Sequence, residues 1–167
     1  PQGKQLVTQW RTTPCTVDWS GDGLTDLVML DHEGYLSLFE RRRVGGGLQL
    51  LPGRRIFVDP DGSPLRLNAR RAGKSGRRKL QITDWDGDGL LDILVNSRSA
   101  DFLRNLGKLD TQVQESDGEP TVTKVKLQNV GPLTEKRLSG HSTSPTVVDW
   151  NQDGIPDLVI GTESGFL

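Results

Sequence analysis

Four oxygen-bearing side chains recur at one spacing three times in the chain: Asp18, Ser20, Asp22 and Asp26; Asp84, Asp86, Asp88 and Asp92; Asp149, Asn151, Asp153 and Asp157. They occupy positions 1, 3, 5 and 9 of a nine-residue phrase, with glycine at position 6 (Gly23, Gly89, Gly154) and an apolar residue at position 7 (Leu24, Leu90, Ile155). Hard donors at alternate positions, a glycine where the chain must turn sharply, and a position needed only for its backbone carbonyl are the requirements of a calcium loop. The set holds no thiol, thioether or imidazole, so it suits a hard cation. One Ca²⁺ per loop is expected, held by these side chains and by the carbonyls of Leu24, Leu90 and Ile155. The second loop has four carboxylates against three in each of the others, and is expected to bind most tightly if ligand charge dominates.

The elements around the loops are not those of a helix-loop-helix site. Position 12 of such a site carries a bidentate Glu, whereas Met29, Val95 and Ile160 stand there. The runs that follow the loops, Leu27 to Leu30, Ile93 to Val95 and Leu158 to Ile160, are short, apolar and rich in β-branched residues, as strands are. Cys15 to Val17, Gln81 to Thr83 and Thr146 to Val148 lead into the loops in the same manner. Each loop is therefore read as the turn of a β-hairpin.

The loops start 66 and 65 residues apart, which makes the chain an array of one unit. In the first unit Asp31 to Gly34 reads as a turn and Tyr35 to Phe39 as a third strand. Val44 to Gly47 reads as a break, and Leu48 to Val58 as a fourth extended segment interrupted at Pro52-Gly53. In the second, Ser97 to Asp101 is the turn, Phe102 to Leu106 the third strand and Thr121 to Gln128 the fourth, after a long polar loop from Gly107 to Pro120. The third unit reaches Leu167 before its third strand is complete. Four antiparallel strands per repeat make the blade of a β-propeller. The predicted fold is all-β, one propeller fragment over residues 1–167, with units at about 11–77, 78–142 and a shortened 143–167. Propellers close with about 4 to 8 blades, so the remaining blades are expected from a longer parent chain or from oligomerisation.

With each Asp-Trp-x-x-Asp-Gly-x-x-Asp phrase followed by an apolar strand, the chain resembles the FG-GAP and VCBS repeats of calcium-binding β-propellers. That group includes integrin α-subunit heads, fungal lectins and secreted polysaccharide lyases. The resemblance implies propeller blades and calcium. It leaves the role open between adhesion, sugar binding and catalysis.

Composition agrees with a β-rich domain: 20 Gly and 9 Pro among 167 residues, 33% hydrophobic, and no apolar run near the ~18 residues that cross a bilayer. A single Cys15 excludes an intrachain disulfide, leaving calcium to staple the fold, and Cys15 itself is expected to be a small buried apolar residue. Loops without a bidentate Glu have expected affinities of about 10⁻⁵ to 10⁻³ M, which cytosolic calcium would not fill. An extracellular or cell-surface setting is expected.

The net charge of −1 conceals an asymmetry, with 14 Lys and Arg against 8 Asp and Glu in residues 1–80, and 7 against 14 in residues 81–167. Beyond Arg41 to Arg43 and Arg54-Arg55, six basic residues (Arg70, Arg71, Lys74, Arg77, Arg78 and Lys79) fall in one ten-residue span. They read as a solvated inter-blade loop or as a surface for an anionic ligand such as a uronate or sulfated glycan. Nucleic acid is not expected, because no aromatic residues interleave the charges for base stacking. Trp19, Trp85 and Trp150 share one repeat position, which favours packing between blades over a sugar grip; Trp10 lies outside the repeat.

Two functions fit these features. The first is an extracellular, calcium-stabilised propeller module, without catalysis of its own, that binds a glycan or an extracellular protein. The alternative is part of a secreted carbohydrate-active enzyme such as a polysaccharide lyase acting on acidic polysaccharide. Lyase chemistry needs a base, for which His141 is the one suggestive residue, and a cation beside the uronate carboxylate. A single His without a nearby Tyr (the chain has only Tyr35) identifies no catalytic residue, and His32 reads as exposed in its turn.

Overall fold

The computed structural model describes residues 8–9, 11–69, 77–109, 123–139, 142–162 and 165. Among them every regular element is a strand and none is a helix: β1 (Cys15–Val17), β2 (Asp26–Leu30), β3 (Leu36–Phe39), β4 (Arg41–Val44), β5 (Gly47–Leu50), β6 (Phe57–Val58), β7 (Leu80–Thr83), β8 (Asp92–Asn96), β9 (Ala100–Lys108), β10 (Val125–Pro132), β11 (Ser144–Val148) and β12 (Asp157–Gly161). Consequently no described helix is long and apolar enough to cross a membrane. The chain divides into two compact units, Pro1–Arg78 with Lys108–Lys126, and Lys79–Gly107 with Leu127–Leu167.

In the first unit β1, β2 and β3 form an antiparallel meander in which Val17 faces Asp26 across the mouth of the first loop and Leu27 faces Phe39. Val28, Met29, Leu30, Leu36, Leu38 and Phe39 are all buried. A strand covered on both faces gains nothing from alternation, which is why these runs are apolar throughout. The β2–β3 turn is built by Asp31, whose Oδ1 accepts the N–H groups of Glu33 (2.9 Å) and Tyr35 (3.1 Å). Gly34, at φ 88°, has no substitute there: a Cβ would lie 1.8 Å from the carbonyl oxygen of Asn68.

The fourth strand expected over Leu48 to Val58 is not continuous. Gly45 and Gly46 take φ of 57° and 82°, the two positive values of a type I′ turn. The glycine run thus closes a hairpin with Val44 opposite Gly47 instead of breaking the chain. That hairpin takes Leu48–Leu50 into β5. Farther on, Arg54 makes one antiparallel bridge to Leu38, while Phe57 and Val58 run parallel to Val125 and Lys126.

The second unit carries the repeat more fully. β7, β8, β9 and β10 lie side by side in sequence order, the order of a four-stranded blade. Ile82 faces Ile93 and Ile93 faces Leu103, and all five residues of β8 are buried. The third strand starts at Ala100, two residues before the expected start, and the fourth is Val125–Pro132, shifted from the expected 121–128. The third hairpin pairs β11 with β12 as expected. Its β11 lies against β7 and β8, where Lys79 Nζ donates to Ser144 Oγ.

Two expectations about packing are corrected. Cys15 is only half-buried, because β1 is the edge of its sheet. Trp19 does pack, edge-on to Phe57 with centroids 4.8 Å apart, and Trp85 is half-buried, but Trp150 is 76% exposed. Trp19 takes its cover from β6, and among the described residues no such strand follows β12.

Candidate metal loops

The three loops share one hydrogen-bond plan, centred on the Asp at position 1. Asp18 Oδ1 accepts the N–H groups of Gly21 (2.8 Å) and Asp22 (3.1 Å), and its Oδ2 accepts that of Gly23 (2.8 Å). Asp84 does the same with Gly87 (2.9 Å), Asp88 (3.1 Å) and Gly89 (2.9 Å). Asp149 holds Asp153 (3.0 Å) and Gly154 (2.9 Å). At position 5 the carboxylate accepts the N–H two residues on: Leu24 to Asp22 at 2.9 Å, Leu90 to Asp88 at 2.9 Å, and Ile155 to Asp153 at 2.8 Å. Gly23, Gly89 and Gly154 at position 6 have φ of 80°, 86° and 86°, the conformation for which a glycine was expected.

Position 4 shows an exception with a measurable consequence. Gly21 and Gly87 stand there at φ 74° and 76°, but the third loop has Gln152 at φ 62°. A non-glycine residue in the left-handed region costs about 1–2 kcal/mol, and glycine gives back about half of the relief as lost backbone freedom. Gln152→Gly is expected to stabilise the protein by up to about 1 kcal/mol in urea denaturation, whereas Gly87→Gln should destabilise it.

The Asp at position 9 clamps the loop to its own sheet. Asp26 and Asp92 are wholly buried. Asp26 Oδ2 accepts Trp19 and Ser20 N–H (both 3.1 Å), and its Oδ1 accepts Arg41 N–H (2.8 Å). Asp92 accepts Trp85 N–H at 2.9 Å and Asn105 N–H at 2.7 Å. Burial pushes the Asp92 carboxyl above the usual carboxylate range, against the lowering effect of those two N–H groups. Asp157, only half-buried, accepts Trp150 N–H at 2.9 Å in the exposed third loop.

The ligand set meets the chemistry of a hard cation. In the second loop Asp84, Asp86 and Asp88 each bring a carboxylate oxygen within 4.8 Å of the others. In the first and third loops Ser20 and Asn151 take the place of Asp86, and Asn151 Nδ2 donates to Asp153 Oδ2 at 2.9 Å. The second loop also has a neighbour that its own sequence does not reveal. Arg104 on β9 sets Nε 2.6 Å from Asp86 Oδ2 and Nη2 3.7 Å from Asp88 Oδ2. The repeat itself carries the signal, because Leu103 faces Ile93 as Phe39 faces Leu27, so Arg104 and the acidic Glu40 hold equivalent places.

The basic surface is largely committed within the fold. Glu40 pairs with Arg42 (3.0 Å) and with Arg54. Arg55 pairs with Asp31 (2.6 Å) and with Glu33, lies over the Tyr35 ring at 4.1 Å, and holds the Glu33 carboxyl below its ordinary value. Arg78 Nε donates to the Leu67 carbonyl at 2.9 Å and Lys79 Nζ to Ser144, while Arg77 is exposed. Arg70, Arg71 and Lys74 lie outside the described residues, as do Trp10 and His141. His32 is exposed in its turn, as expected.

A strand-loop-strand unit repeated with this hydrogen-bond plan defines a class, the β-propeller repeat. The family model of the FG-GAP-like repeat matches residues 84–160, from the start of the second loop into β12, so that span carries FG-GAP-like repeats, which are propeller blades. No match was found among curated proteins or among solved structures.

Proposed function

We propose that the chain is a calcium-stabilised β-propeller module that works outside the cell, binding a glycan or an extracellular protein and carrying out no reaction of its own. The observation that carries this reading is the common plan of the three loops, in which the position-1 carboxylate accepts the N–H groups of positions 5 and 6 and the position-5 carboxylate accepts that of position 7 each time. Backbone that curls a carboxylate ring into shape without using all its lone pairs leaves oxygens for a hard cation. Asp18, Ser20, Asp22, Asp26 and the Leu24 carbonyl would hold one Ca²⁺. Asp84, Asp86, Asp88, Asp92 and the Leu90 carbonyl would hold a second, and Asp149, Asn151, Asp153, Asp157 and the Ile155 carbonyl a third. The ion supplies positive charge to a cluster of like charges that would otherwise repel, so its effect is on the shape and stability of the blades.

Binding to heparin or polygalacturonate tests the partner class, read together with ultraviolet absorbance of the polysaccharide. Retention that weakens as salt rises, screened over about 8 Å at physiological ionic strength, and that drops in a triple variant with Arg77, Arg78 and Lys79 neutralised, supports an anionic glycan. Equal retention of both proteins returns residues 70–79 to an ordinary loop and leaves a protein partner. Release of an unsaturated, ultraviolet-absorbing product would replace the module with a polysaccharide lyase.

A further inference from the structure

The second loop carries its own cation. Four carboxylates stand at its ligand positions, one more than in either other loop, yet the guanidinium of Arg104 bridges two of them, Asp86 at position 3 and Asp88 at position 5. Counted with Arg104, the second loop has a net charge of −3, the same as the three carboxylates of the first loop or of the third. The equivalent residue of the first repeat is Glu40, whose carboxylate is taken up by Arg42 and Arg54. The extra carboxylate and the arginine therefore occur together, in the same repeat. Arg104 is also 45% exposed on its side chain, so it can swing clear without disturbing the core.

We infer that Arg104 is a built-in counter-ion that sets the calcium affinity of the second loop, lowering it to the level of the other two and holding the loop's carboxylates together when calcium is scarce. This inference rests on the calcium reading above. A Ca²⁺ bound at about 2.3–2.6 Å from the same carboxylates would lie within a few ångströms of the guanidinium, and two positive charges so placed repel. Partial exposure and solvent screening hold the effect to about threefold to tenfold in affinity. The ranking by carboxylate count, with the second loop tightest, is thereby removed.

The three position-6 glycines offer a reporter for each loop, since the amides of Gly23, Gly89 and Gly154 each donate to the position-1 Asp of their own loop. Calcium is titrated into ¹⁵N-labelled wild type, Arg104→Gln and Arg104→Lys, and the three amide signals are followed. The expected result is that Arg104→Gln moves the Gly89 midpoint to about threefold to tenfold lower calcium and leaves the Gly23 and Gly154 midpoints in place. Arg104→Lys, which keeps the charge, should stay near wild type. A Gly89 midpoint unchanged or raised in Arg104→Gln overturns the inference, as does Arg104→Lys behaving like Arg104→Gln. If none of the three amides responds to calcium in any variant, the calcium reading fails and the role of Arg104 with it.

Discussion

Chelating calcium from the loaded protein is expected to lower its melting temperature by roughly 5 to 10 °C for each site emptied. A ligand that binds only the folded loop stabilises by about 2.7 kcal/mol at a hundredfold excess over its dissociation constant. The first loop lies in one compact unit, and the second and third in the other. Asp88→Ala should therefore remove the second site's share alone, and its melting temperature should rise less with calcium than that of wild type. Differential scanning calorimetry with and without chelator reads both effects. An identical calcium response in Asp88→Ala and wild type would make the second loop an ordinary turn.

Asp92→Asn is expected to destabilise the protein by about 1–3 kcal/mol even in chelator, because it strands a buried hydrogen-bond donor. The two oxygens of Asp92 accept from Trp85 and Asn105, and the residue is wholly buried. An amide offers one acceptor oxygen and sets its NH₂ against the second N–H. Asp26→Asn should behave alike, since Asp26 accepts three backbone N–H groups. Asp88→Ala lacks this buried setting and should cost far less in chelator. Urea denaturation of the three variants separates the roles: position 9 fastens the loop to the sheet with or without metal, while position 5 matters mainly through the ion. Equal losses for all three in chelator would refute the division.

The loops were legible in the sequence because their constraints are local. A carboxylate that must accept from amides three, four and five residues on, and a glycine that must take positive φ, leave a fixed pattern of residue types in nine positions. The flanking hairpins were legible from the apolar runs of Leu27 to Leu30 and Ile93 to Val95. What lay beyond local reach was misread. Gly45-Gly46 looks like a break but makes a type I′ turn, so Leu48–Leu50 pairs back on Arg41–Val44. Arg104 lies sixteen residues after Asp88 and reaches it only through the pairing of β8 with β9. Trp150 shares a motif position with Trp19, but burial of that position depends on a covering strand supplied from elsewhere in the chain. The pairing of Arg54 with Glu40, and of Arg55 with Asp31 and Glu33, is hidden in the same way, because these residues lie 14 to 24 positions apart and meet only after folding.

Equilibrium dialysis against radioactive calcium tests the central claim most directly. The account predicts saturable uptake approaching three ions per chain, half-complete at about 10⁻⁵ to 10⁻³ M, and two ions per chain for Asp88→Ala. No uptake by the folded wild-type protein at millimolar calcium would contradict it.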